Sequence, residues 1–440
     1  MKKRDSEVDI LLNRRNLVLG VFAGGGYLGL RSLLTGLPAS FLIERALAVE
    51  IPTALVFTTR RAACPINNNV PGTYIPGLVH DSRFPGVEFT LGDVTVRGAG
   101  PWANLPGALR SRLNFIHHRT SVNAHTESEQ VMGLNGRVLG QTGIGVEMLP
   151  SAIAQELARP LSSTQSAPFV ARSGSGVPIR NSGSPISEIS PTGVRQLLGG
   201  GSELQVAQLT SLRDSAVDAL YNDLRTNGTA AQRKYFDGFV KSRSEARRAS
   251  ENLAALLADI NGDTLNDTII AVTAILASRT NPVAVFSIPF GGDNHADSQL
   301  NAEVSQTTSG VAAIGNLWNR LNALGIQDQV TFAQLNVFGR TFRRNTRGGR
   351  DHNRNHSVLV TFGPKVKPGV TGGITATNDS FGGTALGINS VNGTTRDPDI
   401  NQTDTLSSVG KTLMALCGIP EERINKRISN GKIIQSVLKA

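Results

Sequence analysis

The sequence predicts an α/β fold, a mainly parallel sheet flanked by helices. Three observations carry the prediction. Short apolar runs such as "TALVFTT" (53–59), "PVAVFSI" (282–288) and "SVLVTFG" (357–363) have the length and continuity of strands buried on both sides. In the second half of the chain such runs alternate with a segment of helical length and periodicity, the βαβ rhythm of a parallel sheet. Polar clusters follow the runs at once, and open α/β sheets gather ligands at the carboxyl ends of their strands.

The first 48 residues read as an export signal rather than part of the fold. A basic start with Arg14-Arg15 precedes an apolar stretch from Leu17 to Leu30, and Ala46-Leu47-Ala48 fits the small-x-small rule for cleavage after Ala48. The paired arginines resemble a twin-arginine (Tat) leader, which implies the Tat export machinery as a partner and a periplasmic or secreted protein. The apolar run is too short to span a membrane comfortably, and no later segment qualifies. Residues 49–440 are then expected to form a single α/β domain.

Composition narrows the function classes. Of the +10 formal charge, the leader holds a surplus of three, leaving about +7, which suits an anionic small molecule or glycan. With aromatics at 5%, the stacking platforms of single-stranded nucleic-acid binders are poorly supplied, and no nucleic acid is expected. Cys64 and Cys417 allow a disulfide or two isolated thiols, and spacing does not choose between them.

Along the chain, "TALVFTT" opens the domain as a strand and "LNFIHH" (113–118) is a second. From Arg159 to Gly201 the chain turns rich in Ser, Gly and Pro around one short strand, "PFVA", and reads as a loop or cap insertion. Three helices follow: one opened by a Ser202/Gln205 capping box, one from about 230 to 257, and the apolar "LNDTIIAVTAILAS". The intervening "DINGDTLND" is no calcium loop, because its glycine is out of register and no terminal Glu follows, so Asp263 or Thr264 should cap the third helix. Then come the strand 282–288, a helix over 298–324, a strand over 330–338, an arginine- and histidine-rich loop, and the strand 357–363.

The chemistry concentrates in two of these loops. "PFGGDNHADS" carries Asp293, His295 and Asp297, and "FGRTFRRNTRGGRDHNRNH" carries six arginines with Asp351, His352 and His356. Carboxylate and imidazole together are the ligand set of zinc and related divalent metals, so Asp293, His295 and His352 are candidates, with Asp351, Asp297 and His125 behind them. His117, His118 and His356 adjoin apolar strands and read as core histidines with satisfied hydrogen bonds. Clustered arginines beside a metal would grip phosphate or sulfate by paired hydrogen bonds.

Arg14-Arg15, "GGDNHAD", Phe338-Gly339-Arg340-Thr341, "GGRDHN", "GPKVKPGVTGGI" and "DTLSSVGKTLMALCGIP" together resemble an uncharacterised family of Tat-exported bacterial proteins. It is a domain-of-unknown-function family placed with the sulfatase-like proteins of the alkaline phosphatase superfamily. The resemblance covers mainly residues 282–420. It implies a metal-activated nucleophile attacking a phosphate or sulfate ester, one divalent metal (zinc, manganese or calcium) on Asp293, His295 and His352, and Arg340 or Arg350 at the substrate oxyanion. Two departures weigh against full activity: "TTRRAACPINNN" replaces the family's Gly-Gly-Asn-Asp, and Val337 replaces an acidic residue. By position alone, Thr58, Thr59 and Cys64 are nucleophile candidates. The expectation is an exported metal-dependent ester hydrolase, with a non-catalytic binding or scaffold protein of the same fold as the alternative.

Overall fold

A computed structural model describes residues 53–60, 65–127, 131, 147–158, 165–172, 177–198, scattered positions between 215 and 233, 253–279 and 281–439. The expected leader, the Ser202 capping box and Cys64 lie outside the described residues. The chain divides into two compact units. One comprises Pro52–Leu157, Ala167–Glu188 and Val283–Ala440; the other includes Ala158–Ser166 and Ile189–Pro282.

The first unit is organised by a seven-stranded sheet. Its strands are β1 (Ala54–Thr58), β4 (Leu113–His118), β5 (Phe169–Val170), β8 (Val283–Phe286), β9 (Val330–Gln334), β12 (Ser357–Phe362) and β13 (Gly369–Thr371), while β2 (Val87–Leu91) with β3 (Val94–Gly98) and β6 (Arg180–Asn181) with β7 (Ser184–Pro185) form separate two-stranded hairpins. Their order across the sheet is β13-β4-β12-β9-β1-β8-β5. β5, β8, β1 and β9 pair in parallel, as do β13 and β4. β12 runs antiparallel to both its neighbours, β9 and β4, so it alone opposes the common direction. The expected strand 330–338 stops at Gln334, and the chain then turns into the arginine-rich loop.

Strand residues alternate between two covered faces. On one face Leu55, Phe57, Ile116, Leu335 and Leu359 join a core with Leu149, Ile153 and Leu157 of one helix (Leu149–Ala158) and Leu406, Val409 and Leu413 of another (Thr405–Leu416). The other face carries an aromatic cluster: Trp102 meets Phe115 edge-on at 4.9 Å, Phe332 stacks on Phe362 at 4.8 Å, and Trp318 of the long helix Asn301–Ala323 meets Phe362 edge-on. Burial on both faces explains why the strands read as unbroken apolar runs. Among the described residues, no helix is long and apolar enough to cross a membrane. Cys417 is a buried free thiol whose pKa burial pushes up to about 12.

In the second unit, helix Leu265–Ala277 begins at Thr264. The Thr264 hydroxyl accepts from the Asp267 N–H, while the Asp267 carboxylate accepts from the N–H groups of Thr264 and Asn261. The calcium-like stretch is therefore a capping box, which satisfies the free N–H groups of the first turn.

Candidate metal centre

The common direction of β1, β8, β9 and β4, with β12 opposed, brings one set of described segments to a single edge of the sheet: 59–60, 65–71, 287–300, 335–356 and 119–127. Between β9 and β12 the chain forms a small ribbon of β10 (Gly339–Arg340) and β11 (His352–Asn353), in which Arg340 lies opposite His352. The intervening loop closes on itself: Thr341 N–H donates to the Asp351 carbonyl, and Asn345 N–H to that of Gly349.

That loop is docked on the 293–297 segment by backbone and amide contacts. Arg350 N–H donates to the Asn294 carbonyl. Asn345 Nδ2 donates to the His295 carbonyl at 3.0 Å and to Asp351 Oδ1 at 2.8 Å. Gly349 is required by the approach, since a Cβ there would lie 2.1 Å from the Asn294 carbonyl oxygen.

The docking brings His295, His352, Asp351, Asp293 and His125 together. His295 Nδ1 donates to Asp351 Oδ1 at 2.6 Å, and His352 Nδ1 donates to the Asn123 carbonyl at 2.6 Å. A carbonyl and a carboxylate only accept, so each Nδ1 holds its ring's proton. In the neutral rings both Nε2 atoms then carry lone pairs, and these face each other at 2.9 Å. Asp293 Oδ1 lies 3.7 Å from His295 Nε2. Phe338 lies against the His352 ring at 4.1 Å and His125 meets it edge-on at 4.8 Å.

Electrostatics favour the cation-binding forms. Burial pushes His352 down to about 4, with the nearby Arg340 charge adding to it, so the ring is neutral at pH 7. Burial alone would raise Asp293 and Asp351. The His295 N–H and the Arg340 charge oppose it at Asp293; hydrogen bonds from Asn345 and His295 outweigh it at Asp351, and both fall below the usual carboxylate value.

The remaining candidates separate by environment. Arg340 is fully buried, donates to the carbonyls of Arg350 and Gly292, and reaches within 3.8 Å of Asp293; burial lowers it to about 10. Arg350, expected at a substrate oxyanion, is also fully buried: Nε donates to Glu303 Oε2 at 2.7 Å, and its other nitrogens donate to the carbonyls of Thr341, Phe342 and Val79. It is a strut beneath the loop and has no face toward solvent. Arg343, Arg344, Arg347 and Arg354 are the exposed members of the cluster. Asp297 accepts from the Glu303 N–H and so caps the long helix. Thr58 is buried with its hydroxyl donating to the Ala333 carbonyl, and Thr59 is buried at the end of β1. His117 and His356 are core residues with every ring nitrogen bonded, whereas His118 Nε2 faces no partner among the described residues.

Sequence reasoning passed over Asn67, Asn69, Glu303 and Asn345. The signal for the first two was present: "NNN" closes the loop after β1, at the sheet edge where ligands gather.

The fold and site thus define an α/β protein with a His/Asp cluster at the carboxyl edge of its sheet. Over residues 124–421, more than half of its length, the chain matches the family described as "Protein of unknown function (DUF1501)", and it belongs to that family. No curated protein matches it. The matched span includes Asp293, His295, Arg340, Asp351 and His352; Asn67 and His117 lie before it.

Among the described residues, no group of three or more His, Cys, Asp or Glu side chains is placed so that it could hold a metal ion. The spacing is nonetheless close. Tetrahedral zinc with ligands at about 2.0–2.1 Å needs donor atoms roughly 3.3 Å apart. The separations of His295 Nε2 from His352 Nε2, 2.9 Å, and from Asp293 Oδ1, 3.7 Å, fall on either side of that value.

Proposed function

We propose that the chain binds one divalent metal through His295, His352 and Asp293 and uses it in hydrolysis of a phosphate or sulfate ester. The observation that carries the reading is the pair of imidazole Nε2 atoms facing each other with both ring protons committed elsewhere. Two lone pairs at that distance repel unless a cation, a proton or a metal, lies between them. Asp351 behind His295 is the carboxylate–histidine arrangement that orients metal ligands and raises their basicity. A metal bound there would polarise an ester oxygen and lower the pKa of a bound water.

The chain's own groups supply the remainder. The His295 N–H and the Arg340 charge hold Asp293 below the usual carboxylate value, and the exposed Arg343, Arg344 and Arg347 present positive charge on the same loop to an anionic substrate, small molecule or glycan. Kinship with the alkaline phosphatase superfamily, Tat export and a periplasmic or secreted location belong to this proposal; the mainly parallel sheet with polar loops at its carboxyl edge supports the first. A second reading, a non-catalytic metal- or anion-binding protein on the same fold, is favoured by Thr58, whose hydroxyl is spent within the sheet.

The test is turnover of aryl phosphate and aryl sulfate esters by the purified protein, before and after chelation and metal return. Activity lost on chelation and restored by zinc or manganese supports hydrolysis. Absence of turnover while metal remains bound supports the non-catalytic reading.

A further inference from the structure

Asn67 lies in the short turn Pro65–Asn68 after β1. Its carboxamide runs along the outer side of β10: Arg340 N–H donates to Asn67 Oδ1 at 2.7 Å, and Asn67 Nδ2 donates to the Arg340 carbonyl at 3.0 Å. One side chain thereby supplies both hydrogen bonds that a neighbouring strand would give. Gly339 permits the approach, because a Cβ there would lie 2.8 Å from Asn67 Cγ and 2.2 Å from the His356 carbonyl oxygen.

The amide can be seated in only one orientation. The Pro71 carbonyl only accepts, so His117 Nε2 holds the proton and donates to it at 2.9 Å. His117 Nδ1 then accepts from His356 Nε2 at 2.8 Å, and His356 Nδ1 accepts from Asn67 Nδ2 at 3.1 Å. Asn67, His117 and His356 are all fully buried. A flipped amide would set its oxygen against the His356 lone pair and its NH2 against the Arg340 N–H, losing all three bonds at once. Asn68 Oδ1, at 3.1 Å, is a third acceptor facing the same nitrogen and shares its two protons, which agrees with that orientation.

We propose that Asn67 is a positioning residue for the metal centre: by clamping Arg340 in β10 it fixes the register in which β11 presents His352 to His295. The histidine chain beneath it serves as the orientation lock. This inference rests on the metal reading above. Its chemistry is that of an outer partner which holds a ligand's strand without touching the metal.

The test is cobalt(II) titration of the full chain, followed by visible absorption, for the wild type, Asn67→Ala, Asn67→Asp and Phe362→Leu. Phe362 lies at the end of β12 remote from the site, so its variant reports general loss of stability. Asn67→Ala should bind cobalt at least about ten-fold more weakly and with an altered spectrum. Asn67→Asp keeps the acceptor for the Arg340 N–H and should fall between, while Phe362→Leu should lose stability and keep wild-type affinity. Wild-type affinity and spectrum in Asn67→Ala, or equal weakening in Phe362→Leu, would overturn the proposal. Should the wild type bind neither cobalt nor zinc, the metal reading fails by itself, and nitrogen-15 imidazole spectra decide the clamp. Loss of the Nδ1-protonated His352 signal in Asn67→Ala then supports it, and an unchanged signal refutes it.

Discussion

Replacing Arg350 by methionine removes the guanidinium that ties the site loop to the long helix. Four hydrogen bonds go with it: to Glu303 at 2.7 Å and to the carbonyls of Thr341, Phe342 and Val79 at 3.0, 2.6 and 3.1 Å. Both partners of the ion pair are fully buried, and removing one side of such a pair costs about 3–5 kcal/mol because the other charge is stranded. Among the described residues, the Glu303 carboxylate would retain the Asn69 amide as its hydrogen-bond donor. Burial holds its pKa above the ordinary value even with Arg350 beside it, so in the variant it should take up a proton, which places the loss toward ~3 kcal/mol. At about 2 °C per kcal/mol for a unit of this size, the midpoint should fall by ~6 °C or more. The assay is thermal unfolding for the midpoint and urea unfolding for the free energies of Arg350→Met, Glu303→Leu and the double variant. The double variant should lose less than the two singles together, with a coupling of about 1–3 kcal/mol. Single losses below about 1 kcal/mol, or simple additivity, would refute the strut.

Further outcomes follow from the same geometry. Burial lowers His117 and His118 from 6.5 to about 4, so the unfolded chain binds more protons between those values. Stability is therefore complete above pH 6.5 and is lost as pH falls toward 4, by about 2 kcal/mol per ring at pH 5, readable in urea midpoints at pH 7 and 5. Gly349→Ala should push the loop off Asn294 and weaken zinc binding, measured by competition with a chelator; unchanged affinity would show that the docking does not set the ligands. Thr264→Ala should cost about 1 kcal/mol through loss of the capping box, with metal affinity untouched, as seen by unfolding and titration in parallel.

How much of this was legible before the structure depends on what each residue's neighbours reveal locally. The strands were readable because both faces are covered, which leaves runs such as "VAVF" of β8 and "VLV" within β12 without polar interruption. The direction of β12 was not, since an apolar run reads the same either way and the ribbon of β10 and β11 returns the chain by a hairpin-like path. The meeting of Asp293, His295 and His352 followed from two strand-end loops on one sheet edge. The fate of the arginines could not be seen, because a run rich in arginine looks solvated until Glu303, distant in sequence, is shown to meet Arg350. The Asn67 clamp joins positions 273 residues apart, and no local pattern announces it.

Metal content decides whether the His295–His352 gap is the divalent-metal site proposed above. Plasma mass spectrometry on the purified, zinc-reconstituted protein should give one equivalent in the wild type and loss of it in His295→Ala and in His352→Ala, with folding intact by circular dichroism. A wild type that takes up no metal, or variants that retain it, would overturn the metal reading and leave the two rings sharing a proton in place of an ion.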